Sequence, residues 1–333
     1  MPLLEELASP ASSAYAIATA LLTISILVSG IAIGIGKALG NRRIEGFGKE
    51  ELTQAIISCA LFGAIVVLAA TTEAAAASLV PSFSPASLCP MLSHLSDSPA
   101  FYAQCNYASL SSSSESLLAS AMKSQNILGF LSKLGLHLGA VSAEPFFGLQ
   151  YAAESMSPLI SNFTFLLSLL FLQASFLGFA IATAFPIFLP AGLILRMFFP
   201  TRKLGGAAMA LAIGLYVIYP LLFVAAIPTL PDDAASIASA RSSFDAFNSK
   251  YSGIPMMDLQ KENVVVQQIN ELSHQDLVGE ASALVRSLSH SNASIAIFAI
   301  LLPLLALAAA FAGTFALYSS LGSEITLGKF EII

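Results

Sequence analysis

Three cysteines and four histidines are the residues in this 333-residue chain best suited to covalent or metal chemistry. Cys89 and Cys105 flank a short segment. On the oxidising face of a membrane such a pair reads as a disulfide. Closing a loop of about 15 residues would contribute roughly 3 kcal/mol in the chain-entropy picture. Two free thiols are the alternative. A metal site that adds His94, which lies between the cysteines, lacks the ligand spacing of a zinc motif. Cys59 lies inside an apolar run, whereas His94, His137, His274 and His290 all lie outside such runs. A membrane-bound enzyme would have to work with His94, Asp97 or His137. An intramembrane aspartyl protease needs paired carboxylates within the bilayer, and no Asp lies in the apolar runs. Gln173 is the one amide deep in a run, which argues against a proton-coupled carrier. The glycine-rich stretch Gly34-Ile-Gly36-Lys37-Ala38-Leu39-Gly40 lacks the spacing of a nucleotide fingerprint. The expectation is a non-enzyme that holds neither cofactor nor metal.

The basic residues carry the other available chemistry. Lys37, Arg42, Arg43 and Lys49 form one cluster, and Arg196, Arg202 and Lys203 form another. Arg202 and Lys203 suit anionic lipid, at about 1 kcal/mol each, and Arg196 is expected to snorkel to the headgroups. The functional alternative is that Arg42, Arg43, Arg196, Arg202 and Lys203 dock a cytoplasmic ATPase or a nucleic acid.

These residues need elements to hold them. Hydrophobic residues make up 56% of the chain and charged residues 10%, against roughly 25% charge in an average soluble domain. That excludes a soluble enzyme, a disordered chain and an ordinary nucleic-acid-binding domain. The fold class is all-α: a polytopic integral membrane protein with five transmembrane helices, near 14–36, 52–77, 159–184, 204–230 and 294–321. Pro186, Pro190, Pro220 and Pro303 predict kinks. After Pro186 and Pro190, residues 191–199 form a short apolar helix, too short to span, that re-enters the bilayer or lies flat at the cytoplasmic interface. Gly30 and Gly34 in the first run, and Gly205 and Gly206 in the fourth, have the small-residue pattern that lets helices pack closely in lipid.

Lys37, Arg42, Arg43, Lys49, Arg196, Arg202, Lys203 and Lys329 are eight of the 14 basic residues, and with five spans all fall on one side. The positive-inside rule makes that side cytoplasmic, with the N-terminus outside and the C-terminus inside a plasma membrane. The chain then divides into an N-terminal helix pair (1–77), an exterior segment with the cysteine pair (78–158), two spans with a proline-broken connection (159–230), an exterior charged hairpin (231–292), and a final span with its tail (293–333). In the first exterior segment, an amphipathic helix is expected over 126–150. In the second, Ile237, Ala240, Phe244, Phe247 and Tyr251 share one helical face, and Leu277, Ala281, Leu284 and Leu288 share another. These faces pack on each other or bind a partner. Asn162-Phe-Thr164 and Asn292-Ala-Ser294 are glycosylation triplets at the outer ends of spans.

Arg196, Phe199-Pro200-Thr201-Arg202, Gly205-Gly206 and Tyr219-Pro220 occur in an order that resembles a recurrent element of uncharacterised archaeal polytopic membrane proteins. The tail Leu321-Gly322-Ser323-Glu324-Ile325-Thr326-Leu327 is similar as well. The layout resembles the TrbL-like and CedA-like inner-membrane subunits of type IV secretion, conjugation and DNA import. That resemblance implies a platform or channel subunit, embedded in membrane lipid and assembled as a homo- or hetero-oligomer. A separate ATPase would power it, and nucleic acid would enter only as cargo. A stand-alone solute transporter or channel is the alternative from another class.

Overall fold

The apolar runs fold as helices because a backbone in lipid must satisfy its own hydrogen bonds. The computed structural model describes residues 10–79, 99–134, 136–138, 141–143, 146–197, 201–226, 233–254, 267, 272 and 275–321. The helices are α1 (Pro10–Ala38), α2 (Arg42–Leu79), α3 (Pro99–Ser132), α4 (Gly148–Thr183), α5 (Leu189–Met197), α6 (Arg202–Ile213), α7 (Tyr219–Ala226), α8 (Asp233–Tyr251), α9 (Leu277–Ala296) and α10 (Leu302–Leu321). Five stretches are long and apolar enough to cross a membrane: Thr19–Ala38, Arg42–Thr72, Gly148–Arg196, Arg202–Ala226 and Leu277–Ser319. This is the architecture of a multi-pass helical membrane protein.

Pro158 is accommodated inside α4, and Pro190, Pro220 and Pro303 act through a single device. One turn of π-helix joins α4 to α5 (Ala184–Phe188), α6 to α7 (Gly214–Ile218) and α9 to α10 (Ile297–Leu301). After each turn, the next residue donates its N–H five residues back: Leu189 to Ala184 O, Tyr219 to Gly214 O and Leu302 to Ile297 O. Pro190, Pro220 and Pro303 follow immediately. A proline ring crowds the carbonyl four residues back, and the wider turn relieves that crowding. Of the short helix expected over 191–199, residues 191–197 are described, and α5 (Leu189–Met197) continues α4 through the π-turn, within the stretch Gly148–Arg196.

The chain forms two compact units. Unit 1 comprises Met1–Cys105, Ser175–Pro228 and Leu304–Ile333. Its core joins Ile65 and Ala69 of α2, Leu189 and Leu193 of α5, and Met209, Ala210 and Ile213 of α6. The π-turns contribute Phe185 and Val217 to this core. The Phe185 and Tyr216 rings lie 4.2 Å apart, so two of the π-turns meet side by side.

Unit 2 comprises Asn106–Ala174 and Thr229–Pro303. It is held by seams whose buried positions step alternately by three and four, the spacing of coiled-coil contacts. All five residues of the first expected face, Ile237, Ala240, Phe244, Phe247 and Tyr251, are buried on α8, and so are Leu277, Ala281, Leu284 and Leu288 on α9. α8 and α9 pack against each other. The buried face of α3 keeps the same step through Tyr107, Leu110, Ser114, Leu117, Ala121, Ser124, Leu128 and Leu131. Polar clasps join the helices. Ser124 Oγ donates to Asn248 Oδ1 at 2.7 Å, and Asn248 Nδ2 donates to Ser120 O at 2.8 Å. Asn292 Nδ2 donates to Leu159 O at 3.1 Å, and Asn162 Nδ2 to Asn292 Oδ1 at 3.4 Å.

The helix expected over 126–150 is corrected. Its first part is the end of α3, where Ile127 and Leu131 are buried. α3 closes at Ser132 with a tightened last turn, in which Lys133 N and Leu134 N donate to Phe130 O and Leu131 O, both at 3.2 Å. A small antiparallel hairpin follows, made of β1 (Leu136–Leu138) and β2 (Val141–Ala143), with His137 opposite Ser142. The Gly-Ala dipeptide between the strands interrupts the helical pattern that Leu134 and Leu138 suggest.

At the start of α9 the Asp276 carboxylate accepts from Gly279 N at 2.9 Å and caps the helix. One turn on, Glu280 Oε1 accepts from Lys250 Nζ at 2.7 Å. The Tyr251 hydroxyl shares its one proton between Gln275 Oε1 at 2.7 Å and Glu280 Oε2 at 2.9 Å. The hydrogen bond to Glu280 raises the Lys250 pKa, and burial raises that of Tyr251. Both folded-state values lie above the unfolded ones, so the folded protein holds these protons more tightly. The associated stability is complete below the ordinary values of 10.0 and 10.5. It is lost as pH rises through the folded values. Thermal unfolding followed from pH 9 upward should show a midpoint that falls past pH of about 10. Tyr251→Phe with Lys250→Met should flatten that fall.

Candidate functional site

Among the described residues of unit 1, the basic side chains, and the acidic ones other than Glu73, gather where α1 turns into α2 and where α5 turns into α6. The first turn is built by Gly40, at φ +63°, a left-handed conformation that suits glycine. Gly40 N donates to Lys37 O at 3.2 Å and Asn41 N to Gly36 O at 2.9 Å, which satisfies the last carbonyls of α1. Asn41 then starts α2. Its Oδ1 accepts from Arg43 N at 3.0 Å and its carbonyl from Glu45 N at 3.1 Å. α1 and α2 approach backbone to backbone: a Cβ on Gly36 would stand 2.5 Å from Glu45 N, and one on Gly48 would stand 2.9 Å from Ile33 N. Gly30 and Gly34, expected to mediate such packing, have nothing within 4 Å of a Cβ among the described residues. They lie away from the crossing, and Gly36 and Gly48 occupy it.

The second turn has the same construction. A Cβ on Gly205 would stand 2.5 Å from both Arg196 N and Gly192 O, and Gly206 beside it is also buried. Thr201 Oγ1 donates to Leu195 O at 2.7 Å. The close crossing of α5 and α6 encloses Arg196, which is 5% exposed and does not snorkel as expected. Arg202 is not at the surface either. Its Nη2 lies 3.0 Å from Glu51 Oε1, with the two side chains 11% and 17% exposed. This pair ties the start of α6 to α2 and brings both basic turns to the same end of unit 1.

Lys37, Arg42, Arg43, Lys49 and Lys203 are exposed at that end. Leu39, Phe47 and Leu204 are exposed among them. Basic and apolar side chains interleaved in this way suit a membrane–water boundary. Arg42 and Arg43 lie in the first turn of α2, and Arg202 and Lys203 in the first turn of α6. There the helix dipole disfavours cations. The acidic residues close by offset this: Glu51 reaches Arg202, and Glu45 Oε1 lies 2.7 Å from Lys49 Nζ. The arrangement offers electrostatic contact with anions.

The remaining expected residues are dispersed. Gln173 is half-buried on α4. Gln104, which the sequence reading passed over, comes close to α4: a Cβ on Gly178 would stand 2.9 Å from its Nε2. Cys105 is fully buried. Cys89, His94 and Asp97 lie outside the described residues. His137 is on β1, and His290 is exposed on α9. Among the described residues no three His, Cys, Asp or Glu side chains form a ligand group. Glu51 was not distinguishable in sequence from its neighbour Glu50, because its partner lies 151 residues away.

No family model matches this chain, and no curated protein or solved structure matches it.

Removing one partner of a mostly buried ion pair leaves the other charge without compensation. Glu51→Gln should lower stability by about 2 kcal/mol in denaturant unfolding in mild detergent. Glu45→Gln, at the more exposed pair, should change it far less.

Proposed function

We propose that the chain is a non-enzymatic, multi-pass subunit of a membrane machine that moves DNA or protein, of the secretion and conjugation kind. It would serve as a platform or channel component. One observation supports this most. Alongside the unit rich in spans, the chain builds a second helical unit from long polar helices with their own core. Two of the apolar stretches have 49 and 43 residues, where about 20 suffice to cross a bilayer. That much ordered helix beyond the needs of crossing suits a protein whose task is assembly.

In this reading the basic end of unit 1 faces the cytoplasm, the N-terminus lies outside, and the segments 78–158 and 231–292 are exterior. Both basic turns at one end agree with the positive-inside rule. Lys37, Arg42, Arg43, Lys49 and Lys203 contact anionic lipid or a cytoplasmic ATPase, and Arg202 is committed to Glu51. Cys89 and Cys105 form a disulfide on the exterior side. In support of this pairing, Cys59 is the free cysteine among the described residues.

Two measurements test the proposal. Purified in mild detergent, the protein should run as an oligomer or bring a membrane partner with it; a strict monomer without a partner counts against assembly. In the intact chain with Cys59→Ser, Ser112→Cys at an exposed position of α3 should react with an impermeant maleimide added to whole cells, and Lys203→Cys should not. The reverse pattern would overturn the orientation.

A further inference from the structure

The π-turn Ile297–Leu301 differs from a mere kink in how its backbone is completed. Leu302 N donates to Ile297 O, five residues back. In that register the next donor along the chain is residue 303, and its acceptor is Phe298 O. Residue 303 is proline and has no N–H to give. A side chain from α3 fills the gap: the Tyr107 hydroxyl donates to Phe298 O at 2.9 Å in buried surroundings. Tyr107 is 2% exposed and Phe298 7%. The phenol stands where the missing amide would.

We propose that Tyr107 and the 297–303 turn form a conformational latch. With the phenol engaged, the helix is held in its wide π register and Phe298 O is satisfied. With the phenol withdrawn, that carbonyl has no donor in an apolar setting, and the turn is driven to another register. A one-residue change of register rotates the residues that follow by about 100° around the helix axis. The Tyr107 contact therefore sets the register of the turn. Single π-turns inside α-helices are frequent at functional sites. In lipid, a proline is tolerated where a neighbouring helix satisfies the carbonyl it frees.

A double-mutant cycle on the full chain in mild detergent tests the latch. Tyr107→Phe should raise the unfolding constant about tenfold. It should also speed amide exchange within 297–302. Pro303→Ala restores the backbone donor, so in that background Tyr107→Phe should change the unfolding constant less than about twofold. An equal effect of Tyr107→Phe in both backgrounds would overturn the proposal, since the hydroxyl would then be independent of the proline. Should Pro303→Ala not accumulate, Tyr107→Phe alone decides: faster exchange confined to 297–302 supports the latch, and unchanged exchange there overturns it.

Discussion

A backbone in hydrocarbon has no water to lean on, and most of this structure follows from that constraint. It makes the described apolar runs helices. It also dictates what must happen where a proline removes a donor. At Pro190, Pro220 and Pro303 the chain neither unwinds nor leaves the helix. It widens one turn ahead of the ring and continues. Two of these turns lie against one another through Phe185 and Tyr216. The breaks were legible in sequence because proline has only one steric consequence inside a helix. The π register was not, because it depends on how neighbours close around the widened turn.

Unit 2 obeys a different rule, repeated contact at steps of three and four. Where the seam residues are large and apolar among polar neighbours, as with Phe244, Phe247, Leu284 and Leu288, periodicity alone identified the buried face. On α3 the same step runs through Ser114, Ala121 and Ser124. Small and hydroxylated residues carry almost no hydropathy signal, so within this exterior segment a helix was expected only over 126–150, whereas a 34-residue helix runs over Pro99–Ser132. Its serines find acceptors within the helix: the hydroxyls of Ser109, Ser111, Ser112 and Ser116 donate to carbonyls three residues back. Small side chains also let helices approach closely, so the residues that hid the seam help to build it.

The basic end shows how far charge counting reaches. The clusters were legible because Lys and Arg are scarce, and their gathering at one end of unit 1 follows from two short turns. Which of those charges remain at the surface depends on packing. Gly192 and Gly205 bring α5 and α6 together and enclose Arg196, and Glu51 takes up Arg202. A count of seven basic residues in the two clusters thus overstates what the surface offers.

The Asn292 amide carries a consequence for chemistry after translation. Its nitrogen, the atom a glycan would be attached to, already donates to Leu159 O and Leu288 O, and the residue is 5% exposed. A sugar there would have to arrive before α9 meets α4, and once attached it would hold the two helices apart. Folding and modification compete for the same nitrogen, and in the folded chain the helix contact holds it.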